Sequence, residues 1–525
     1  MRRVLRSICV MAGAAVCLTA CSGTGGNVSE AVGATKPETA AVETQDTEAG
    51  QAEAVSELIT LIHVNDIHGY VEETETNIGY AKIAGYIAQM KAEHKNVLAI
   101  DAGDTFAGNA NASFDHGQSI AAIVKTVPFD VMVLGNNDFF LGRERLLAVT
   151  NQLSYPSLAG NVFSASGDPS GEAPWADYTI LTTDSGVKIG FITGTCGIHA
   201  DLEFKDPIVR LREQAAEVRP QVDILIGLLH MGYEDSSGNT SQLAAREVEG
   251  LDLIIDGHSH TVLEHGAVVN DILITQAGEY GSHIGVIELS VLDKKLEHAS
   301  AKLLTYEDLA GQSEKEDTKA AVEELLRKSG EYFAQEIGTT AVQLTAAREL
   351  VRTRETNLGN MATDAIRAAN GTDIAFAIAG GIGGEIAPGP ITKRDILSIG
   401  RVNSNFAVYE MTGADIVEAL EFKCAEYPEP SGNFLQVSGI SFVLDGKKAA
   451  GERITEVTVN GEPLELQKVY TVSGNEGLAK EPGFVNGTLI SVNPTVFQDI
   501  IEQYIIENSP VNPQVEGRIQ IVDTE

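Results

Sequence analysis

Residues 58–69 read LITLIHVNDIHG, an apolar and β-branched run from Leu58 to Val64 that ends at once on Asn65, Asp66 and His68. A short apolar run bounded in this way predicts a buried strand with a polar cluster at its C-terminal end. Four more stretches follow the same plan. VLAIDAGDTFAGN, from Val97, delivers Asp104, and VMVLGNND, from Val131, delivers Asn136. DILIGLLHMG, from Asp223, delivers His230, and LDLIIDGHSHT, from Leu251, delivers His258 and His260. Helix-like stretches such as Ala81 to Glu93 lie between several of them. Strands alternating with helices predict an α/β sheet, and in such sheets the loops after the strands converge on one crevice.

The residue types in those loops are metal ligands. Asp66 and His68 are two apart, as are His258 and His260. In an extended segment each pair would point to one side, a spacing suited to chelation. With Asp104, Asn136 and His230 they make seven mixed nitrogen and oxygen donors, more than one tetrahedral zinc uses. The set suits two octahedral or five-coordinate divalent ions drawn from Mn, Zn, Co, Ni or Fe. Two ions a few ångströms apart share a ligand, and Asp104, the lone carboxylate between the pairs, is the natural bridge. A single Asp or Asn after a strand is an ordinary turn residue; five such ends in series are not. All eleven histidines precede residue 299, and His63, His94, His116, His199, His265, His283 and His298, outside the motifs, read as surface or packing residues.

The chain has 525 residues, 43% of them hydrophobic, enough for two or three domains. It opens with Arg2, Arg3 and Arg6, an apolar stretch from Ile8 to Leu18, and LTAC ending at Cys21. This is the pattern of a secretory signal, too short to span a membrane as a structural helix. Small residues ending on a cysteine resemble the lipobox of bacterial lipoproteins, which implies a lipid on Cys21 and a place on the extracytoplasmic face of the cell membrane. Residues 1–20 are then the signal, and 21–57, rich in Ala, Glu, Thr, Gly and Ser, a flexible acidic tether. Beyond Cys21 only Cys196 and Cys424 remain, which excludes a disulfide framework. A net charge of −37 excludes a nucleic acid polymer as partner, since such binding needs Lys and Arg to neutralise phosphates.

Taken in order, NDIHG, AGDTFAG, GNND, HMGYED and GHSHT resemble the metallophosphoesterase domain of the secreted bacterial 5'-nucleotidase and UDP-sugar hydrolase family. The resemblance implies a four-layer α/β/β/α sandwich over residues 58–305 that holds two metals. By motif position Asp66, His68 and His260 serve one metal and Asn136, His230 and His258 the other, with Asp104 shared. The family's third motif runs Gly-Asn-His-Glu-Phe-Asp, whereas this chain has Gly135, Asn136, Asn137, Asp138, Phe139 and Phe140. Asn137 therefore stands at the catalytic histidine's position and Phe140 at that of its Asp partner. An amide donates a hydrogen bond but delivers no proton. A poor alkoxide leaving group should suffer most from the change, and an anhydride or aryl one least.

Residues 316–338, EDTKAAVEELLRKSGEYFAQEIG, read as an amphipathic connecting helix within a linker at 306–338. A second α/β domain at 339–525 resembles the family's C-terminal substrate domain through RTRETNLGNMATDAI, AGGIGGEIAPGPIT and VYEMTGADIVEAL. Arg352 matches a family arginine that holds the nucleotide. The family's Asn-Gly-Gly-Gly-Ile-Arg is replaced by Ile378 to Gly383, and its two base-stacking aromatics fall at Val402 and Gly477. Phe484 could replace one ring, and Arg401 could be a further anion contact. The leading reading is a lipid-anchored phosphoesterase, 5'-nucleotidase-like, acting on a small phosphorylated, nucleotide-like substrate. Two other readings are a nucleotide-sugar pyrophosphatase or phosphodiesterase, and a non-catalytic surface protein that keeps its metals for binding.

Overall fold

Alternation along the first strand builds the N-terminal domain. In the computed structural model, which describes residues 56–165, 173–197, 201–400, 406–493 and 495–522, the run is β1 (Ser56–Val64). β2 (Val97–Asp101) and β3 (Val131–Val133) follow in parallel register beside it, in a sheet of six. Two long antiparallel strands, His283–Leu292 and Lys295–Thr305, complete its other side. A second six-stranded sheet holds β4 (Ile224–His230) and β5 (Leu253–Ile255), again parallel.

Side-chain parity then sets the layers. Ile59 and Leu61 of β1 face Ile224, Ile226 and Leu228 of β4 in one apolar cluster between the sheets. Ile62 and Val64, of opposite parity, pack against α1 (Tyr80–Glu93) and α2 (Gln118–Val124) through Ile83, Ile87, Ile120 and Val124. Leu225 and Leu229 point outward to α3 (Pro207–Val218) and α4 (Ser241–Glu247). The result is the expected helix, sheet, sheet, helix sandwich. Each fully buried Leu or Ile contributes about 1.5–3 kcal/mol, and a one-residue slip of β1 would move its whole inward set to the other face. Register is therefore fixed, and with it the edge at which β1 to β5 release their loops.

α5 (Glu316–Phe333) buries Val322, Leu325 and Phe333 against the N-terminal domain. It is shorter than the pattern suggested: its cap is Ala334, and Glu336–Thr340 already pairs as a strand with Gly389–Thr392. Gly338 and the β-branched Ile337, Thr339 and Thr340 favour that strand over helix. The second domain joins a five-stranded sheet, Ile374–Ile378 and Phe406–Thr412 among its strands, to a four-stranded one, with α6 (Asn357–Asn370) on the former. Phe484 is a correction to the sequence reading. Its ring is 1% exposed, edge-on to Phe376 and Tyr409 in the domain core, so it has no face for a substrate. Burial of a ring this size in the core outweighs a surface role. Cys21, Arg401 and Val402 lie outside the described residues.

Candidate active site

The seven ligand candidates meet where the five strands end, but not by the extended geometry expected from their spacing. Asp66, His68, Asp104, His258 and His260 all have left-handed backbones, with φ of 53°, 52°, 57°, 78° and 55°. The two pairs converge because each loop coils after its strand, not because a pleat aligns them. Such conformations are uncommon outside glycine and persist where surrounding bonds over-determine them. Here the loops are stitched together: the Asp66 N–H donates to Gly103 O at 2.9 Å, that of His68 to Asp104 O at 2.9 Å, and that of Tyr280 to Asp66 O at 2.8 Å. Gly135 is obligatory for a different reason, since a Cβ there would lie 2.2 Å from Asp104 Oδ1.

Three buried carboxylates outside the ligand set brace these loops. Asp138 accepts the N–H groups of Gly135 at 2.9 Å, Asp104 at 3.1 Å, Thr105 at 2.9 Å and Phe106 at 2.7 Å. Asp101 accepts from Gly103 N and Thr105 Oγ1, and Asp256 from the N–H groups of Met231 and Gly232. Asn65 ties Asp66 Oδ2 to the 277–278 turn. None of these four was singled out in the sequence, although each lies within two residues of a ligand candidate or next to His230's partner loop. The available signal was a second carboxylate or amide inside each motif, as in DAGD, NND and IIDGH.

Side chains converge in two groups. Asp66, His68 and His260 present ligand atoms within 4.8 Å of one another, and so do Asp66, Asp104 and His230. Asp104 Oδ2 lies between them, 3.6 Å from His68 Nε2 and 3.2 Å from His230 Nε2. His68 and His230 each give a ring Nδ1–H to a backbone carbonyl, Ala107 O at 3.0 Å and Ala102 O at 2.7 Å, which leaves both Nε2 atoms facing the carboxylates. That is the outer-sphere bond that fixes a metal-binding tautomer. Asn136 Oδ1 and His258 Nδ1 are 2.6 Å apart, His258 Nε2 is 3.5 Å from Asp235, and His260 Nδ1 is paired with Glu279.

The electrostatics fit a cation. Among the described residues the ion-pair partners of Asp66 and Asp104 are histidines only. Burial opposes ionisation of Asp104, yet His230 and His68 hold its carboxyl below the usual range. Burial pulls His230 down, but Asp104 and Asp66 push it up to about 10. Burial and the repulsion of Asp104 lift Asp138 to about 7, and burial lifts Asp101 to about 6. His230 Nε2 is buried and faces Asp104 Oδ2 at 3.2 Å without hydrogen-bond geometry. An imidazole nitrogen so placed against two buried carboxylates suits a divalent ion, which would offset a desolvation cost of several kcal/mol per charge.

These groups open into a cavity of about 400 Å³ lined by His68, Tyr70, Asn109, Asn136, Asn137, His258, His260 and Tyr280 with Gly108. Asn137 is bonded on both sides to Asp104: its N–H donates to Oδ1 at 2.8 Å and its amide Nδ2 to Oδ2 at 2.7 Å. Phe140 is 54% exposed. Arg352 stands apart in the second domain, half-buried, where a Cβ on Gly432 would come within 3.9 Å of its guanidinium carbon. Cys196 and Cys424 are free thiols pushed up to about 12 by burial, so neither is a ready nucleophile.

Comparison with known proteins follows the same division. Residues 59–262 match the model of the calcineurin-like phosphoesterases, and residues 336–485 that of the 5'-nucleotidase C-terminal domain. Over 530 residues the chain is 27% identical to a snake venom 5'-nucleotidase of Crotalus adamanteus, covering 88% of each. It is 27% identical over 450 residues to a metallophosphoesterase of Bacillus subtilis, YunD, covering 80% of this chain and 92% of the relative. The crystal structure of a 5'-nucleotidase precursor from Thermus thermophilus superposes with a TM-score of 0.57 at 26% identity, covering 89% of this chain and all of that one. With the order of its motifs, the bracing of its ligand loops and both domain models in agreement, this chain belongs to the metal-dependent phosphoesterases that join a calcineurin-like domain to a 5'-nucleotidase C-terminal domain.

Proposed function

We propose that the protein hydrolyses small phosphorylated, nucleotide-like substrates at a two-metal centre and favours anhydride or aryl leaving groups over the 5'-alkoxide of a nucleoside. Asp66, His68 and His260 would hold one ion, Asn136, His230 and His258 the other, and Asp104 both. Divalent ions bound there would supply hydroxide and polarise the phosphoryl oxygens. The chain's own part is to orient the ligands through the Nδ1–H bonds of His68 and His230 and to keep the carboxylates dry.

One observation carries the leaving-group preference. The residue at the family's acid position, Asn137, spends its amide on Asp104 and has no proton to give. General acid catalysis typically contributes roughly 10² to 10⁴ in rate, so its loss weighs on an alkoxide and hardly on a nitrophenolate or a phosphate. Attachment to the extracytoplasmic face of the membrane through a lipid on Cys21 is part of the proposal, supported by the leader's sequence; Cys21→Ser should move the protein from the membrane to the soluble fraction.

The test is a hydrolysis panel on the Mn-reconstituted chain, with AMP, UDP-glucose, p-nitrophenyl phosphate and its bis ester, and Asp104→Ala as control. Faster turnover of the anhydride or aryl esters than of AMP supports the reading. A wide preference for AMP would overturn it, and metals bound without turnover would favour a binding protein. Activity of Asp104→Ala equal to the parent would remove Asp104 from the shared position.

A further inference from the structure

The wall of the metal cavity is polar except along one side. There Tyr280 lies edge-on to both ligand histidines, its ring centroid 5.9 Å from His68 and 5.8 Å from His260. Tyr70 covers Tyr280 at 4.1 Å with the planes inclined by 31°, and is 39% exposed at the lip. Both rings line the cavity.

The pair is fastened to the ligand loop. Tyr280, itself in a left-handed conformation at φ 59°, gives its N–H to Asp66 O at 2.8 Å, and Tyr70 gives its own to Ile67 O at 2.9 Å. A strained tyrosine backbone between Gly278 and Gly281, both also at positive φ, is an expensive way to place a ring that had only to fill space. The remaining lining residues, Asn109, Asn136, Asn137, His258 and Gly108, offer an aromatic group polar edges or bare backbone.

We propose that Tyr70 and Tyr280 form an aromatic platform that receives the leaving group of the phosphate ester, so that the site selects esters carrying an aromatic ring on the departing oxygen. The proposal rests on the phosphoesterase reading for the place of the phosphate. Stacked aromatic pairs add a modest increment beyond area burial, which corresponds to about three- to tenfold in affinity. The platform and the missing acid then favour the same substrates, one by contact and the other by leaving-group chemistry.

The experiment uses non-hydrolysable probes on the full Mn-loaded chain: benzylphosphonate, in which a methylene replaces the ester oxygen of phenyl phosphate, against methylphosphonate, both by calorimetry. The parent should bind benzylphosphonate about three- to tenfold more tightly. Tyr70→Ser should weaken benzylphosphonate by that factor more than methylphosphonate, and Tyr70→Phe should keep the preference. Absence of a benzyl preference in the parent, or its survival in Tyr70→Ser, overturns the platform. Hydrolysis of p-nitrophenyl phosphate by the same preparation separates the two ideas. Turnover without a benzyl preference sinks the platform alone, and a Tyr70-dependent preference without turnover sinks the phosphoesterase reading and with it the leaving-group role, keeping only an aromatic-binding subsite.

Discussion

Asn137 is where substitution and geometry meet most directly. Its backbone N–H and its amide grip opposite oxygens of Asp104, so the side chain acts as a brace for a carboxylate. Asn137→Ala keeps the backbone bond and deletes the other. Loss of such an outer-sphere bond typically lowers metal affinity about 10- to 100-fold, and competition against a chelator should find Mn binding weakened by that order. Unchanged affinity would mean that the amide bond does not hold the carboxylate. Asp138 is a second residue whose role is mechanical. Asp138→Asn offers four converging N–H groups one acceptor oxygen and a competing donor, leaving at least two of them unpaired in the interior. At about 1–3 kcal/mol for each unsatisfied group, the metal-free protein should lose about 2–6 kcal/mol, read from the shift of its urea midpoint. The convergence of the seven ligand candidates was legible because each follows an apolar run; their bracing residues were not, since an Asp beside such a residue looks like one more turn residue until its acceptor bonds are seen. Nor could spacing disclose left-handed backbones: Asp66-x-His68 is compatible with a pleat, and only the neighbouring loops exclude it.

At the scale of elements, β1 carries a device that its apolar reading passed over. His63 is buried, with neither ring nitrogen bonded among the described residues, and sits opposite Gly285 in the antiparallel ladder. A Cβ on Gly285 would lie 1.9 Å from His63 Nε2, so the strand pair is built around a neutral imidazole. Burial lowers its folded pKa to about 3, against about 6.5 when unfolded. The sign follows: above pH 6.5 neither state is protonated, and below it the unfolded chain takes up a proton that the native strand excludes. Stability from this group is therefore present above pH 6.5 and is lost progressively as pH falls toward 3. The slope is about 1.4 kcal/mol per pH unit, or about 2–3 kcal/mol between pH 6.5 and 4.5. His63→Leu should flatten the acid side of the stability profile by that amount, measured by denaturant titration across that range; a profile parallel to the parent's would place the acid sensitivity elsewhere. The strand itself was fully legible, because two parities of apolar residue predict burial on both faces. The helix at 316–338 was legible only in part. Its charged, periodic first five turns fold as read, but Ile337 to Thr340 obey the pairing offered by Gly389–Thr392, a partner some fifty residues away in sequence.

Across the whole molecule the chemistry is unequally divided. Every described residue lining the metal cavity comes from the N-terminal domain, and Arg352, the anion contact suggested by motif, lies in the second, beside Gly432, whose carbonyl accepts the Gly380 N–H at 2.8 Å. The domains meet through α5, where Phe114 packs on Tyr332 and Phe333, and Lys393 of the second domain reaches the Tyr332 hydroxyl at 3.3 Å. Domain order and class were legible because five strand ends and one amphipathic stretch punctuate the chain, whereas substrate contacts in the second half were not. There the aromatic candidate, Phe484, belongs to the core. This division makes a prediction about substrate size. On the proposed reading a compact aryl phosphate needs only the cavity and its tyrosines, whereas a nucleotide also engages Arg352 of the second domain. Arg352→Ala should therefore raise KM for AMP about tenfold or more, the loss of one charge-assisted contact of about 1.5–3 kcal/mol, while p-nitrophenyl phosphate keeps its KM. Steady-state kinetics on both substrates decide the matter. Equal losses on the two would mean that Arg352 supports the fold or the domain contact, and no loss on either would mean that Arg352 does not hold the nucleotide.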